Sequence, residues 1–541
     1  MKNKEKLLLT LSILFIPFSV KALNINNIGD YNYGGNGTEI INDVISLEDG
    51  GSIGVGYCDS NNTMENLGYE DAIIVKSDKD GKIEWINNYG GDDDESFESI
   101  AHTKDGGFIV VGKSISTNIE GMDSFDTYAG IIVKYNSNGE IEWQKSYDKD
   151  DADFFNSVVV LEDGSFVVVG YTSSTNITGV LEDSLFNALI VKYDKDGNIV
   201  WEKVYGGTGD DVFDTVLLTP EGEFLIIGNS DSSDIESITN KGSVDAIIVK
   251  CDKDGNIIWQ KNWGGNDYDY FYSLVGTTDE GFIVVGNTIS SDIEGISNDE
   301  LNSKAIFIKY DKTGNIVYQK QYTGNNNHSF SKIIPVVGEK FLVVGNTDST
   351  NIQNIPNMGY SDALAVMYDK NGNIVWQSTF GGNGYDEFTT ATIAENGLLT
   401  LLGNYDSDDI SEMNNNGLED VMMIKYEIEF DLKTTETKNG NYTINKEGTI
   451  GKINPTPEKG YEVDKIIVKD SYGNIVNAVM QQDGTYSFPL IDDVIVEVIF
   501  KKELVNPQTG LPNMLVIMFI GIILSFMGYF YTRKFSNYYE A

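Results

Sequence analysis

Several residue types that carry common protein chemistries are scarce in this chain of 541 residues. Arg533 is the only arginine, and 38 basic residues stand against 83 acidic residues, for a formal net charge of −45. Nucleic-acid binding needs a basic surface that displaces counterions from phosphates, so this composition excludes it as an ordinary function. We expect the acidity to serve the solubility of a secreted protein.

Histidine and cysteine are almost absent. With only His102 and His328 in the chain, a multi-histidine metal site is impossible and Ser-His-Asp chemistry is disfavoured. Cys58 and Cys251 lie in repeats that are not sequence neighbours, so we predict two buried free thiols rather than a disulfide framework. No glycine-rich phosphate loop follows a strand and opens a helix. The sequence therefore predicts no catalytic residue, no cofactor and no resident metal site.

What the chain has in abundance is one repeat, of which Asp245–Thr288 is a clear copy. The copy contains two hairpins, with turns at Asp254-Gly255 and at Asp279–Gly281. Its four apolar runs are Ala246–Lys250, Ile257–Lys261, Phe271–Thr277 and Phe282–Gly286. Four such strands form an antiparallel sheet that cannot bury its own face, so it must stack on another copy of itself.

The number of copies and the two chain ends predict a closed ring. The turn glycine recurs every 58 or 59 residues, at Gly81, Gly139, Gly197, Gly255, Gly314 and Gly372. In the last copy, the first hairpin stops at Asp420–Lys425 and lacks its second strand. The segment Ile25–Gly35, near the other end of the chain, matches that missing strand. One sheet built from both ends would leave no unpaired sheet edge at a gap in the ring. We predict an all-β fold with a seven-bladed β-propeller over residues 23–430.

The repeats resemble secreted bacterial repeats with the pattern GG, D-x-F, T-x-D-G-G-F-I-V-V-G and D-A-I-I-V-K-Y-D-x-x-G-N-I-x-W. That resemblance implies a propeller and no particular activity. Polar loops of variable sequence join the two hairpins and leave the sheets at the same strand end, so we expect them on one face of the disc. Examples are Lys113–Tyr128, Tyr171–Phe186, Asn287–Ser303 and Asn346–Ser361.

An acidic residue recurs two positions before the second-hairpin phenylalanine. The set is Glu39, Glu95, Asp153, Asp211, Asp269 and Asp386, with His328 in the fifth copy. One hypothesis is a ring of carboxylates that binds Ca²⁺. We favour the other, in which each acid accepts backbone N–H groups within its own blade and holds the turn after Gly-Gly.

An aromatic residue also recurs, four positions after the turn glycine. The set is Trp85, Trp143, Trp201, Trp259, Tyr318 and Trp376. A sugar-stacking platform is one interpretation, but the constant place of these residues inside a strand favours packing between blades.

The N-terminus predicts a secretory signal peptide over residues 1–22. Lysines at positions 2, 4 and 6 precede the apolar run Leu7–Val20, which is short for a membrane span, and cleavage would fall between Ala22 and Leu23.

A second domain is predicted over residues 431–501, where the repeat period stops. We expect strands at Tyr442–Ile444, Val463–Lys469, Asn474–Val479, Tyr486–Pro489 and Val494–Phe500. The segment is similar to the divergent internalin-B-type bacterial repeat, with Pro489 kept in the ending Phe488–Phe500. That resemblance implies a small β-grasp-like module, which in surface proteins mostly acts as a stalk.

Residues 502–541 predict an anchor. Met514–Tyr531 holds 18 apolar or weakly polar residues, enough for a transmembrane helix, and the following Arg533 and Lys534 place its end in the cytoplasm. Before it stands the pentapeptide Asn506, Pro507, Gln508, Thr509, Gly510. This order resembles the sorting signal of Gram-positive wall proteins, usually L-P-x-T-G; Asn506 is similar to variants read by other sortase classes.

The sorting resemblance implies cleavage after Thr509 by a sortase and linkage to peptidoglycan. An uncleaved single-span membrane protein is the alternative. Taken together, the chain predicts a cell-surface binding or adhesion protein with an extracellular ligand that the sequence does not name, or a pure spacer. The alternative is a secreted propeller enzyme, either a glycan hydrolase or a quinone-dependent oxidoreductase, with acids or a lysine clamp in the central funnel.

Overall fold

The computed structural model describes residues 24–503, except for positions 62–65, 123–125, 181–183, 298–301, 353–354, 356, 395–396, 412, 414, 471–472 and 491. The predicted signal peptide with its cleavage site at Ala22 and Leu23, the pentapeptide 506–510 and the apolar span 514–531 lie outside the described residues. Within the described part, no helix is long and apolar enough to cross a membrane.

Every regular element in the described residues is a β-strand, and the chain divides into two compact units, residues 25–428 and 429–503. The first unit consists of four-stranded antiparallel sheets that follow one another along the chain. This architecture confirms the all-β, propeller-like fold that the repeat predicts.

The strands are numbered in chain order. The chain begins with β1 (Asn24–Tyr33). The first sheet holds β2 (Glu39–Ser46), β3 (Ser52–Cys58), β4 (Asp71–Ser77) and β5 (Ile83–Tyr89). The second holds β6 (Glu95–His102), β7 (Phe108–Ser114), β8 (Ala129–Tyr135) and β9 (Ile141–Tyr147). The third holds β10 (Asp153–Val160), β11 (Phe166–Thr172), β12 (Asn187–Tyr193) and β13 (Ile199–Tyr205).

The remaining sheets of this unit repeat the same order. The fourth holds β14 (Asp211–Leu218), β15 (Phe224–Ser230), β16 (Asp245–Cys251) and β17 (Ile257–Trp263). The fifth holds β18 (Asp269–Gly276), β19 (Phe282–Thr288), β20 (Lys304–Tyr310) and β21 (Ile316–Gln321). The sixth holds β22 (His328–Val336), β23 (Lys340–Thr347), β24 (Asp362–Asp369) and β25 (Ile374–Phe380). The last holds β26 (Asp386–Ile393), β27 (Leu398–Tyr405), β28 (Asp420–Glu429) and, from the other chain end, β1.

The last sheet closes the ring with both chain ends. β1 pairs with β28, which confirms the pairing that the split repeat predicts. The first strand of each sheet contacts the first strand of the next, and β26 contacts β2. A backbone hydrogen bond also joins the last sheet to the first: Glu39 N–H donates to the Glu419 carbonyl at 2.9 Å.

The third strands are covered on both faces. Ala246, Ile247 and Ile248 of β16 are fully buried, because neighbouring sheets pack against both faces of the sheet that contains them. Cys58 and Cys251 are buried and do not form a disulfide, as predicted.

Side chains of the first strands also meet near the centre. Asp43 of β2 accepts hydrogen bonds from Lys332 Nζ of β22 at 2.8 Å and from Ser99 Oγ of β6 at 3.1 Å. Thr390 Oγ1 of β26 lies 3.4 Å from the same carboxylate. One carboxylate therefore contacts three other sheets.

The recurring aromatics pack between sheets, as their position in the strand predicts. A methyl group added to the turn glycine Gly314 would lie 2.8 Å from the ring of Trp259, which belongs to the preceding sheet. The same contact is made by Tyr31 with Gly81, Trp85 with Gly139, Trp143 with Gly197, Trp201 with Gly255 and Tyr318 with Gly372. Trp376 instead packs against Tyr426.

The second unit, residues 429–503, contains eight strands in its described residues. They are β29 (Leu432–Thr434), β30 (Gly440–Glu447), β31 (Ile450–Pro457), β32 (Tyr461–Asp470), β33 (Ile475–Val476), β34 (Val479–Met480), β35 (Tyr486–Pro489) and β36 (Val494–Lys502). They form two four-stranded sheets, ordered β29-β36-β32-β33 and β30-β31-β35-β34. A core that includes Ile453, Val468, Phe488, Val496 and Val498 is buried.

This unit departs in detail from its prediction. β29 and β31 were not expected, and the single strand predicted over Asn474–Val479 is two short strands in different sheets. The proline and lysine residues of β31 obscure its strand pattern in the sequence, although its alternate residues Gly451 and Ile453 are buried in the structure.

Candidate binding face

One end of every sheet in the first unit carries the long connections. We call this end the loop face; it is built by the segments between second and third strands and by the links from one sheet to the next. The segments between second and third strands span 59–70, 115–128, 173–186, 231–244, 289–303, 348–361 and 406–419.

The predicted acidic ring lies at the base of this face, but its members are not brought together. Each acid is the first residue of a first strand and is buried. Asp269, for example, accepts the Gly265 N–H at 2.8 Å, the Ser290 hydroxyl at 2.8 Å and the Thr288 hydroxyl. All six acids, Glu39, Glu95, Asp153, Asp211, Asp269 and Asp386, accept the N–H four residues earlier, at 2.7–3.0 Å. These contacts are those of the within-blade hypothesis.

No metal centre is assembled from these acids in the described residues. There, no group of three or more His, Cys, Asp or Glu side chains is placed to hold a metal ion. Each ring acid instead holds the link that precedes its own strand, through the backbone N–H four residues earlier.

His328, which follows the fifth turn glycine Gly314, takes the place of the acid at the start of the sixth sheet. Its Nδ1 lies 2.8 Å from the Thr347 hydroxyl and its Nε2 lies 3.0 Å from the Ser349 hydroxyl. Burial, with the nearby Lys304, lowers the pKa of His328 to about 4. The imidazole is therefore neutral at physiological pH and replaces the carboxylate as a structural group.

A repeated serine at the base of the loops escaped the sequence analysis. Each of these serines is buried two residues after a second strand and accepts an N–H from the link between sheets, at 2.8–3.0 Å. The set is Ser60, Ser116, Ser174, Ser232, Ser290, Ser349 and Ser407. Its recurrence at the repeat spacing was the signal that could have found it. These bonds tie every loop base to the neighbouring link.

Acidic and tyrosine side chains from the loop-face halves of several sheets form one electrostatically linked set. We call this set the mouth: Tyr57, Glu70, Glu98, Tyr171, Asp214, Tyr270, Tyr272, Glu387 and Glu419. Burial raises the pKa of Asp214 to about 8. Burial and then Glu419 raise the pKa of Glu387, and burial followed by Glu70 and Glu419 raises the pKa of Tyr57 to about 12.

The mouth groups are close enough to act on one another electrostatically across sheets. Burial, then Glu98 and Asp214, raises the pKa of Tyr171 to about 12. Asp214 has the same effect on Tyr272, after burial. Lys113 Nζ lies 3.5 Å from Glu98, and no arginine occurs in the described residues. The mouth is thus predominantly acidic and partly desolvated.

Aromatic rings of the mouth stack on one another and on neighbouring rings. Tyr268, Tyr270 and Tyr272 form a ladder along β18, with centroids 6.3 and 6.0 Å apart. Phe154 stacks on Tyr171 at 4.5 Å.

Further out on the loop face, Tyr360 stacks on Tyr385 at 5.2 Å, although the two side chains are 68% and 61% exposed. Tyr69 is 73% exposed. Such rings offer flat apolar area with a hydrogen-bonding edge, which suits sugars and cationic groups.

Comparison with known proteins gives no family. No protein-family model matches the chain. An uncharacterised WD repeat-containing protein of Acanthamoeba polyphaga mimivirus is 19% identical over 446 residues, 64% of this chain and 32% of that protein. The chain thus spans about a third of the length of this relative.

Two solved structures are similar at low scores. The Pan2 WD40 domain of Neurospora crassa has a TM-score of 0.43 and 10% identity, covering 75% of this chain and 96% of its own. The PQQ-bound aldose sugar dehydrogenase of Streptomyces coelicolor has a TM-score of 0.32 and 10% identity, covering 61% and 94%. These similarities carry no functional argument. The class of the protein rests on its own topology, which is an all-β, propeller-like repeat fold.

Proposed function

We propose that this protein is a non-enzymatic binding protein of the cell surface whose loop face meets an extracellular ligand, a glycan or a matrix or host protein. The observation that carries the proposal is the placement of exposed Tyr69, Tyr360 and Tyr385 on the same face as the acidic mouth. Exposed tyrosines in contact with each other cost solvation without stabilising the core, whereas they add rigid contact area to a bound partner.

The loop bases are pre-organised for such binding. Buried serines and ring carboxylates bond each loop to its neighbouring link, so the aromatic groups above need little further ordering when a ligand arrives. Loop sequence can vary above this frame without disturbing the strands.

A binding assay tests this proposal with variants of the full chain. Tyr360→Ala combined with Tyr385→Ala should weaken retention on a glycan and matrix-protein array, or adhesion of cells that display the protein, by about tenfold per ring lost. Val200→Ala and Val317→Ala, which remove exposed apolar groups from outer strands, serve as matched controls and should have no effect. Equal binding by all variants would refute the loop-face site.

The proposal for the whole chain adds an anchor. A seven-bladed propeller over 23–430 would be carried by the module at 431–501 as a stalk. A sortase would join Thr509 to peptidoglycan after removal of the signal peptide. The order of pentapeptide, apolar span and basic tail supports this. Thr509→Ala should then move the protein from the fraction released by wall-digesting enzymes to the membrane fraction. Release of the native protein by detergent alone would instead support an uncleaved membrane anchor.

A glycan hydrolase is the second candidate function, and the raised pKa of Asp214 is the observation that favours it. A carboxyl group with a pKa of about 8 is protonated at neutral pH and can serve as a general acid, with Glu98 or Glu387 as the second carboxylate. Release of reducing sugar from a polysaccharide panel, abolished by Asp214→Asn, would establish this candidate and displace the binding proposal.

A further inference from the structure

Buried pairs of carboxylates flank the links between neighbouring sheets, and neither the fold nor the binding proposal explains why two acids meet there. One partner is a ring acid, and the other is the first residue of the preceding sheet's third strand. Four of the seven links have two acids: Asp71 with Glu95, Asp245 with Asp269, Asp362 with Asp386, and Asp420 with Glu39. All eight side chains are at most 2% exposed.

In three of the four pairs, the two carboxylates face the same glycine. A methyl group on Gly381 would lie 2.6 Å from Asp386 Oδ2 and 2.7 Å from Asp362 Oδ1, so these oxygens are at most about 5.3 Å apart. Gly90 and Gly264 are flanked in the same way by their pairs.

At least one oxygen of each pair lacks a hydrogen-bond donor, and in the pair of Asp362 with Asp386 both Oδ1 atoms lack one in the described part of the chain. Oδ1 of Asp71, Asp245, Asp362 and Asp420 is buried and accepts no hydrogen bond within the described part of the chain. The other oxygen does accept one: Met358 N–H donates to Asp362 Oδ2 at 2.9 Å, for example. Two ionised carboxylates this close, with an orphaned oxygen between them, would be strongly unfavourable away from water.

The other three links show what the site tolerates. In them the first partner is neutral or basic: Ala129 precedes Asp153, Asn187 precedes Asp211, and Lys304 precedes His328. Asn has the shape of a protonated Asp, so Asn187 stands where the pairs would need a neutral carboxyl group. None of these three links can hold two negative charges.

We propose that each of the four pairs holds one proton in the folded protein, so that the ring is stabilised in mildly acidic solution. Burial, opposed by hydrogen bonds and then assisted by the partner acid, raises the pKa of Asp269 to about 6 from its ordinary 3.8. Burial likewise raises the pKa of Asp362 to about 6, with Asp386 adding to the shift. The pKa of Asp71, Glu95, Asp245, Asp386 and Asp420 is raised in the same direction, with burial as the largest cause.

Few other charged groups face these pairs. Lys241 acts on Asp245 and Asp406 acts on Asp386. The remaining contacts are neutral donors: Asn88 and Leu67 N–H for Asp71, Ser114 for Glu95, Asn262 for Asp245, Thr288 and Ser290 for Asp269, Ser407 for Asp386, Asn416 and Tyr405 for Asp420, and Cys58 for Glu39.

The sign of the pH effect follows from the raised pKa of the folded state. Below pH 4 the carboxyl group that holds the proton of each pair is protonated in both the folded and the unfolded chain. The contribution of the pair to the free energy of unfolding is then complete. As pH rises to about 6 the unfolded chain has lost the proton while the folded pair still holds it, so the folded state loses stability relative to the unfolded chain. His328, whose folded pKa is lowered, acts in the opposite direction as pH falls, so variants must be compared rather than absolute profiles.

Thermal unfolding of the full chain at pH 4.5 and pH 7.5 tests the proposal. Asp245→Asn with Asp362→Asn should raise the midpoint by several degrees at pH 7.5 and change it little at pH 4.5. Asn187→Asp, which creates a fifth pair, should lower the midpoint at pH 7.5 only. Calorimetry in two buffers at pH 5 should show fewer protons released on unfolding by the double Asn variant.

Either of two results would overturn the proposal. One is a lower midpoint of the Asn variants at pH 7.5, together with a native midpoint that falls with a chelator and rises with Ca²⁺; the pairs would then hold a cation. The other is an Asn187→Asp variant whose midpoint changes equally at both pH values. If the double Asn variant fails to fold, the Asn187→Asp variant tests the proposal by itself.

Discussion

At the scale of single residues, crowding explains the Gly-Gly found at the start of five of the seven links. The first glycine faces buried carboxylates, and the second faces a loop-base serine: a methyl group on Gly265 would lie 2.7 Å from Ser290 Cβ. Neither Gly264 nor Gly265 has a positive φ, so the requirement is space rather than backbone freedom.

Substitution of Gly264 should therefore be costly. Gly264→Ala forces a methyl group against Asp245 and Asp269, and we expect a loss of about 2–3 kcal/mol in the free energy of unfolding. Gly276→Ala is the matched control, because its methyl group would meet only Leu217 at 3.7 Å. Urea unfolding of both variants checks this, and equal midpoints would contradict the crowding account.

His328 shows how far a repeat position can drift without changing its task. In the sequence, His328 is the one member of the recurring set that is not an acid. In the structure, the imidazole bonds the same two hydroxyl positions that the carboxylates use elsewhere, and Lys304 replaces the partner acid. Both partners of the link changed together, which is what a shared structural role requires.

At the scale of elements, the fourth strands join one sheet to the next through their aromatic residue. Trp259 covers the turn glycine Gly314 of the following sheet and stacks on Phe282 at 6.3 Å. Gly314 adopts a φ of 74°, as the hairpin turn requires, and also offers a flat surface to the ring.

Removal of this ring should weaken one sheet-to-sheet contact. Trp259→Ala should cost about 3 kcal/mol of unfolding free energy, because a large half-buried ring is lost. Trp259→Tyr is the matched control and should cost about 1 kcal/mol or less, since Tyr318 makes the same contact in the next repeat. Chemical denaturation measures both; a Tyr variant as damaged as the Ala variant would mean that the contact does not depend on ring packing.

At the scale of the whole molecule, the ring is closed by strand pairing between the chain ends. β1 supplies the outer strand that β28 lacks, and without it β28 would present an open edge.

Deletion of residues 24–33 should abolish the single cooperative unfolding transition of the first unit and expose an aggregation-prone edge. Calorimetry and size-exclusion chromatography follow the two effects. Ile28→Thr, which changes an exposed side chain of β1 but leaves the strand in place, provides the control. A deletion variant of β1 that melts as the native protein does would refute closure by this strand.

The central ion pair gives a second test of ring integrity. Lys332→Ser leaves the Asp43 carboxylate buried and without its cation, so we expect a loss of about 2 kcal/mol. The double variant Asp43→Ser, Lys332→Ser should recover most of that loss, because Ser99, Ser157 and Ser273 occupy the equivalent position in other sheets. Thermal melts of single and double variants form a double-mutant cycle; additive losses would show that the pair is not coupled.

Period and turn chemistry in the sequence determined much of this protein. A dipeptide such as Asp254-Gly255 specifies its hairpin locally, and a 58-residue repeat whose missing strand stands at the other chain end requires pairing between the ends. These features depend on short-range backbone preferences and on one symmetry, so they can be read from the residues in order. The sequence also favoured a structural role for the ring acids over a Ca²⁺ site, because a role needed in every copy is usually structural.

Only the tertiary structure decided which side chains of different copies meet. Asp362 and Asp386 are 24 positions apart with no motif between them, and they face each other only because consecutive sheets stack. The ion pair of Asp43 with Lys332 spans 289 positions and depends on ring closure. The mouth likewise combines Glu98, Asp214 and Glu387 from three sheets. Burial in such contacts shifts their pKa values, and burial is a property of the packed ring rather than of any single repeat.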